Sequence, residues 1–227
     1  MEIQNKSRVG VVLITGIISA AILFSGCSSD GAEGGGSTTD PRNVDFDAVY
    51  NTLNTASGNI SNSSAGFYAI YGSSFFNIFS AYVEEWDGSS SYTYGSVSVE
   101  VTEYNGVWIW TYTDSSTGES IEYRVESTSS GWSFTWTING EDYVTGTIST
   151  DGLTGSVNYF NPDSGEKVFS YNFGPYSGSY ALEIVATSYS SNTKVVEVVI
   201  RTSSDGSTGT WTYTDYNDGT NNDSGSW

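Results

Sequence analysis

Oxygen-bearing side chains alternate along the acidic run between Asp215 and Asp223. Calcium takes about six to eight oxygen ligands, and loops that bind it supply carboxylate and amide oxygens at alternate positions. The spacing therefore makes Asp215, Asn217, Asp218 and Asp223 a candidate calcium site. The run lacks the Glu that closes a helix-flanked calcium loop, so an Asx-rich hairpin turn is the alternative interpretation.

Tryptophan is the second residue type whose placement could serve a ligand. Large rings on an accessible face could stack on sugars or line a pocket for an acyl chain. The candidate ligand-binding residues are Trp108, Trp110, Trp132, Trp136 and Trp211. Cross-strand aromatic pairs also stabilise ordinary sheets by about 0.2–1 kcal/mol each, so core packing is the alternative role for these rings.

Paired carboxylates could hydrolyse a glycosidic bond if two carboxyl groups stood about 5–9.5 Å apart. The pairs in the chain are Glu84–Glu85, Glu100/Glu103, Glu122/Glu126 and Glu141/Asp142. Because Arg124 lies between Glu122 and Glu126 on one strand face, that pair predicts a surface charge row instead. The chain has no histidine and one cysteine, which excludes Ser-His-Asp and Cys-His catalysis and zinc sites built from imidazole or several thiolates. We therefore predict no catalytic residue, no enzyme activity and no cofactor apart from the candidate calcium.

The charge balance limits the partners. The chain has 26 acidic and 7 basic side chains, for a net charge of −19. Phosphate groups are bound by basic side chains, so this balance argues against nucleic acid as a partner. It also argues against electrostatic attraction to anionic lipid headgroups.

The N-terminal residues have the layout of an export signal. Lys6 and Arg8 give a positive start, and an apolar stretch runs from residue 9 to residue 24. This stretch is shorter than the roughly 20 residues of a comfortable membrane span. Leu-Phe-Ser-Gly-Cys follows at residues 23–27, and then a Gly/Ser-rich polar run begins. The arrangement resembles the signal and lipobox of bacterial lipoproteins, with Phe24 where Leu is usual; an uncleaved anchor helix is the alternative.

The resemblance implies a fate for Cys27. In such proteins the signal, here residues 1–26, is removed and the cysteine is lipidated on its thiol and acylated on its new amino terminus. Residues 27–42 would then be a flexible tether. Ser28, rather than Asp, resembles the pattern that sorts lipoproteins to the outer membrane. We therefore expect attachment to the lipid bilayer through acylated Cys27, in the envelope and facing the periplasm or the cell surface.

Residues 43–88 are predicted to form a helical segment that packs on a sheet. Phe46, Val49, Tyr50 and Leu53 follow helical spacing. A second apolar pattern runs from Phe67 to Trp86, and its aromatic content leaves a strand pair as the alternative.

Residues 89–227 are predicted to form an antiparallel β domain, because apolar and polar residues alternate with a period of two. Turn signals separate the alternating runs: Asn105-Gly106, Asn139-Gly140, Asp151-Gly152, residues 161–165 and Asp205-Gly206. The fold class is thus mainly β, a meander of about 8–10 strands that forms a curved sheet or barrel. We favour closure into a barrel, since an open sheet of this size would expose long edges.

Two short sequences are repeated within the β domain. Trp110–Asp114 is matched by Trp211–Asp215, and in both copies a Gly follows four residues after the Asp. Asp151–Gly155 and Asp205–Gly209 share the pattern Asp-Gly-x-Thr-Gly. The repeats predict that one type of hairpin is used more than once.

These observations favour a membrane-anchored envelope lipoprotein whose β domain has a non-catalytic binding or scaffolding role. Two alternatives remain open at this point. One is a surface lipoprotein that binds or hydrolyses carbohydrate through aromatic and carboxylate side chains. The other is a carrier of apolar ligands inside a barrel. Protein partners are not indicated by any motif.

Overall fold

The computed structural model describes residues 47–61, 64–69, 90–94, 96–219 and 222–227. The predicted signal peptide, Cys27, the tether and residues 70–88 of the helical segment lie outside this part. Helix α1 spans Asp47–Asn59 and confirms the first helical pattern. Helix α2 spans residues 64–69, at the start of the second pattern. Within these ranges, neither helix has the length and apolarity needed to cross a bilayer.

The β domain is one antiparallel sheet in which each strand pairs with its neighbours in sequence. Its strands are β1 (Ser91–Tyr94), β2 (Val97–Tyr104), β3 (Val107–Asp114), β4 (Ser120–Thr128), β5 (Gly131–Ile138), β6 (Glu141–Ser149), β7 (Gly155–Phe160), β8 (Lys167–Pro175), β9 (Leu182–Ser190), β10 (Thr193–Thr202), β11 (Gly209–Asp215) and β12 (Asp223–Ser226). The predicted fold class, a mainly β meander with an N-terminal helical segment, is confirmed.

The sheet is curved but not closed, so the preference for a barrel was wrong. Among the described residues it has 12 strands, more than the number expected. The outermost strands, β1 and β12, have 4 residues each and do not pair with one another. Short edge strands offer few unpaired backbone groups to another chain, which is an alternative to closure for managing an edge.

Tight turns connect the strands where the sequence indicated them. Asn105-Gly106 has φ values of 53° and 78°, and Asn139-Gly140 has 52° and 87°. Two consecutive positive φ values are those of the type I′ turn, whose twist matches that of paired strands. Ser191-Asn192 forms the same kind of turn, with φ values of 47° and 59°, although it contains no glycine to mark it.

One face of the sheet, which we call the inner face, carries the buried side chains. Residues that pair across neighbouring strands form rows on it. One row is Val101, Trp110, Tyr123, Trp136, Val144, Tyr159 and Phe169. Another is Trp132, Ile148, Gly155, Phe173, Ile184, Ile200 and Trp211. The opposite, outer face is polar, as in the row Arg124, Thr135, Thr145, Asn158, Ser170 and Thr187.

Both helices contribute to the same core as the inner face. Val49 and Leu53 of α1, and Ala69 of α2, belong to one cluster with the buried strand residues. The Tyr68 ring stacks on Phe169 of β8, with centroids 5.8 Å apart, and its hydroxyl lies 2.8 Å from Ser188 Oγ. The inner face therefore packs against helices, and the outer face is polar, with Ser170 and Thr187 buried on it.

Candidate functional site

The tryptophans nominated as ligand contacts lie on the inner face. Trp110 is 0% exposed, Trp132 2%, Trp211 3% and Trp136 7%. Trp108 is half-buried and packs against the same core. A ring with so little accessible surface cannot stack on a sugar unless the structure first uncovers it.

Three of these tryptophans belong to one continuous group of rings across β3, β4 and β5. The centroids of Trp108 and Trp110 are 6.2 Å apart, and those of Trp110 and Tyr123 are 5.7 Å apart. Tyr123 then meets Trp136 edge-to-face at 5.4 Å. These separations fall in the range of favourable aromatic pairs, each worth about 0.5–1.5 kcal/mol beyond area burial. Trp132 lies in a different row of the inner face, and Trp211 lies at the far end of that row.

Tyr123 is the central ring of this group, and sequence analysis did not nominate it. Burial raises the pKa of its phenol well above the ordinary value, because desolvation disfavours the phenolate. Burial has the same effect on the pKa of Tyr171. Both phenols are therefore neutral at physiological pH. The sequence pattern that could have identified Tyr123 is its spacing of two residues from Ile121 and from Val125, which places all three on one face.

The acidic run after β11 is built as a turn. The Oδ1 atom of Asp215 accepts backbone N–H groups of Asn217 at 2.9 Å and Asp218 at 3.1 Å. The Asn222 side chain accepts the N–H of Asp215 at 3.1 Å, and Asp223 Oδ1 accepts the N–H of Ser224 at 2.8 Å. Two oxygens of the candidate calcium set, on Asp215 and Asp223, thus accept hydrogen bonds from nearby backbone N–H groups.

Metal binding by this run stays a prediction. In the stretches that the structure covers, no group of three or more Asp, Glu, Cys or His side chains is arranged to hold a metal ion. Residues 220–221, in the middle of the run, lie outside those stretches. Asp215, Asn217, Asp218 and Asp223 are the residues that would hold calcium.

The Asp-Gly-x-Thr-Gly repeat forms two matching turns, which we call the β6–β7 turn (residues 149–155) and the β10–β11 turn (residues 203–209). In each, the first Ser donates its hydroxyl to the Asp two residues on, at 2.6 Å in both copies. The same Asp oxygen accepts the backbone N–H two residues further on, at 3.0 Å in both copies. The first Ser and the Thr also exchange matching hydrogen bonds. The sequence repeat is therefore a structural repeat.

These hydrogen bonds favour the ionised carboxylates. The Ser203 hydroxyl and the backbone and hydroxyl of Ser207 lower the pKa of Asp205 from 3.8 to about 2. The Ser149 hydroxyl and the N–H of Leu153 also lower the pKa of Asp151. Both side chains are anionic at neutral pH and act within their turns.

The other repeat also continues into similar turns. Asp114 Oδ1 accepts the N–H of Ser116 at 2.8 Å, as Asp215 Oδ1 accepts that of Asn217 at 2.9 Å. Asn161 Oδ1 caps its own turn in the same way, accepting the N–H of Asp163 at 2.9 Å. The acidic and amide side chains at these strand ends stabilise turns.

The carboxylate pairs within the described residues lie at the surface, with Glu122 half-buried. Glu103 Oε1 accepts the N–H of Gly106 at 2.9 Å, and Glu126 pairs with Arg124 at 3.3 Å. The ion pair agrees with the predicted charge row. Glu141 and Asp142 are exposed at the β5–β6 hairpin. The Glu84–Glu85 pair lies outside the described residues.

Basic side chains in β8–β10 are paired with tyrosines. Lys194 forms an ion pair with Glu197 at 2.5 Å and lies 5.1 Å from the Tyr216 ring centroid. Arg201 pairs with Glu183 at 2.7 Å and lies 4.8 Å from the centroid of Tyr176. The hydrogen bond that Lys194 donates to Glu197 raises the pKa of Lys194. Such pairs neutralise the few cations locally and leave the acidic charge dominant.

The candidate site therefore consists of a covered aromatic face and a set of turns whose acidic side chains accept hydrogen bonds from their own backbone. Comparison of the chain with protein-family models, curated proteins and solved structures finds no match.

Proposed function

We propose that the protein is a lipoprotein of the bacterial envelope, attached to the bilayer by acylated Cys27, whose β domain has a non-catalytic binding or scaffolding role. We propose that it is located in the outer membrane, because Ser28, rather than Asp, follows the cysteine. The acidic net charge assigns the attachment to the lipid rather than to headgroup attraction.

The observation that carries the proposed role of the β domain is the burial of the tryptophans. Trp110, Trp132, Trp136 and Trp211 are at most 7% exposed and pack within one core. Rings in that position stabilise the domain by removing apolar surface from water. They support a structural role for the inner face, with contacts to partners made by the outer face and the turns.

The use of the acidic groups supports the same proposal. Asp151 and Asp205 are engaged by hydrogen bonds within their own turns, and Glu126 is paired with Arg124. A glycosidase requires two carboxyl groups that face one another across a substrate. Exposed carboxylates on turns favour solubility and surface recognition.

Membrane attachment is tested by replacing the proposed lipidation site. In the full-length chain expressed in a diderm bacterium, Cys27→Ser should move the protein from the membrane to the soluble fraction or leave it as an unprocessed precursor. Ser29→Ala changes a neighbouring residue without touching the thiol and should behave like wild type. Normal processing and unchanged membrane fractionation of Cys27→Ser would overturn the lipid anchor.

Ligand binding is tested on the purified protein by native mass spectrometry and tryptophan fluorescence. The proposal expects neither quenching by soluble glycans nor a spectral shift with a fluorescent fatty acid, since the rings are covered. Quenching by a glycan would favour the carbohydrate-binding alternative, and a shift with the fatty acid would favour the apolar carrier. Calcium retained in the native mass spectrum would support the acidic run as a metal site.

A further inference from the structure

Helix α1 is a weak helix by sequence. It has 13 residues, of which only Ala48, Leu53 and Ala56 are strong helix formers. Asn, Thr and Ser side chains compete for the backbone, and Gly58 adds conformational freedom to the unfolded chain. Isolated helices shorter than about 12–15 residues are marginal in water even with better sequences. The helical state of α1 therefore depends on what it packs against.

The polar contacts that the structure gives between α1 and the sheet domain converge on the β10–β11 turn. The buried Thr52 hydroxyl donates to the carbonyl oxygen of Ser204 at 2.6 Å. The Asn59 side-chain amide donates to the carbonyl oxygen of Gly206 at 3.5 Å. That same oxygen accepts the indole N–H of Trp227 at 2.9 Å. The turn thus joins α1 to the residue that follows β12.

The apolar contribution of the helices is small beside that of the strands. Tyr50 and Tyr68 pack against the core but are only partly buried. The fully buried apolar residues of α1, α2 and the segment between them are Val49, Leu53, Ala56, Ile60, Ala65 and Ala69. Half of them are alanine, which removes little apolar surface from water. The inner face of the sheet instead carries buried tryptophan, tyrosine and phenylalanine rings on strands that are hydrogen-bonded to one another.

We propose that α1 is a releasable latch: it detaches from the β10–β11 turn and unfolds locally while the sheet stays folded. Regions with few large apolar contacts and weak local propensity open at lower free energy than the core. The latch is held closed by the hydrogen bonds from Thr52 to Ser204 and from Asn59 to Gly206. Because α1 stands between the proposed tether and the sheet, its release would lengthen the chain that connects the domain to its anchor.

Hydrogen–deuterium exchange of the full-length chain in detergent micelles tests the latch. In wild type, the amides of α1 should exchange faster than those of β4–β6 under the same conditions. Thr52→Val keeps the shape but removes the donor to Ser204, and should speed exchange in α1 about 3- to 10-fold without changing β4–β6. Asn51→Thr is a replacement of similar helix propensity at an exposed position of the same helix, and it should leave the exchange of α1 close to wild type.

Equal exchange of α1 and β4–β6 in wild type would overturn the proposal, because α1 would then open only with the whole domain. A Thr52→Val variant that speeds exchange in α1 and in the sheet alike would overturn it as well. If Thr52→Val fails to fold, the wild-type comparison of α1 with β4–β6 still decides between the two outcomes.

Discussion

The β6–β7 and β10–β11 turns have the same internal hydrogen bonds but different surroundings. Asp151 and Asp205 accept equivalent groups at nearly equal distances. In the described contacts, the β10–β11 turn also binds α1 and Trp227, whereas the hydrogen bonds of the β6–β7 turn stay within the turn or its hairpin. The same short sequence can therefore specify the same turn at two places. How much each turn contributes to the stability of the fold depends on the residues that surround it.

The largest expected effect comes from Gly206→Ala. Gly206 has a φ of +73°, and a Cβ there would lie 2.5 Å from the carbonyl oxygen of Thr52. The φ value costs an alanine about 1–2 kcal/mol, and the steric overlap adds about 1–3 kcal/mol to the loss of stability. Chemical denaturation of the full-length chain measures the sum.

Gly118→Ala is the control for the part of the stability loss that comes from the positive φ value. Gly118 has a φ of +75° with open space around a Cβ, so only the loss of about 1–2 kcal/mol from backbone strain is expected. Equal losses of unfolding free energy for Gly118→Ala and Gly206→Ala would show that the contact with α1 adds nothing to the contribution of the β10–β11 turn to stability.

A smaller difference is expected between the last glycines of the two turns. Gly155 lies beneath Phe173, whose Cζ would be 2.6 Å from a Cβ, and Gly209 lies beneath Trp227. Phe173 is fixed within the core, whereas Trp227 is half-buried and follows the last strand. Gly155→Ala should therefore destabilise the domain by about 1–3 kcal/mol, and Gly209→Ala by less, in the same denaturation assay. A larger loss for Gly209→Ala would place the more rigid ring at the β10–β11 turn.

The smallest expected effect is a dependence of stability on acidic pH. The pKa of Asp205 is lowered to about 2 in the folded protein, from an ordinary value of 3.8. Its contribution is complete above 3.8 and is lost as the pH falls through 2, because the unfolded state takes up the proton first. The Asp151 contribution runs in the same direction. Unfolding free energies measured from pH 5 to pH 2 should fall less steeply for Asp205→Asn than for wild type.

Asp163→Asn provides the reference for that comparison, since the Asp163 side chain lies on an exposed turn outside both matching turns. An Asp205→Asn variant with the same pH slope as wild type and Asp163→Asn would contradict the hydrogen-bonded role of Asp205.

Alternation and turn residues were enough to predict an antiparallel meander, although about 8–10 strands were expected and the described residues form 12. Asn105-Gly106 and Asn139-Gly140 mark type I′ turns by residue type alone, because few other residues adopt positive φ. Ser191-Asn192 escaped prediction since it reaches the same conformation without glycine. Whether the sheet closes depends on the pairing of its edges, and a period of two carries no information about that.

The role of the tryptophans was left open for a similar reason. Alternation assigns Trp110 and Trp136 to one face of the sheet, but it does not say what covers that face. Burial follows from packing against residues far away in sequence, such as the stacking of Tyr68 on Phe169. The acidic run shows the same limit, because Asp215 has the chemistry of a calcium ligand and is used here to cap a turn.

The order of strand pairing has a consequence for how the chain folds. Each strand pairs with the one before it, so the sheet closes only short loops, and such local contacts cost little chain entropy and form early. Thr52 and Ser204, in contrast, are separated by 152 positions. A chain synthesised from its N-terminus completes α1 before any of the described strands, yet the turn that contacts α1 follows the tenth of them. Helix α1 can therefore dock on this turn only after nearly the whole sheet has been synthesised.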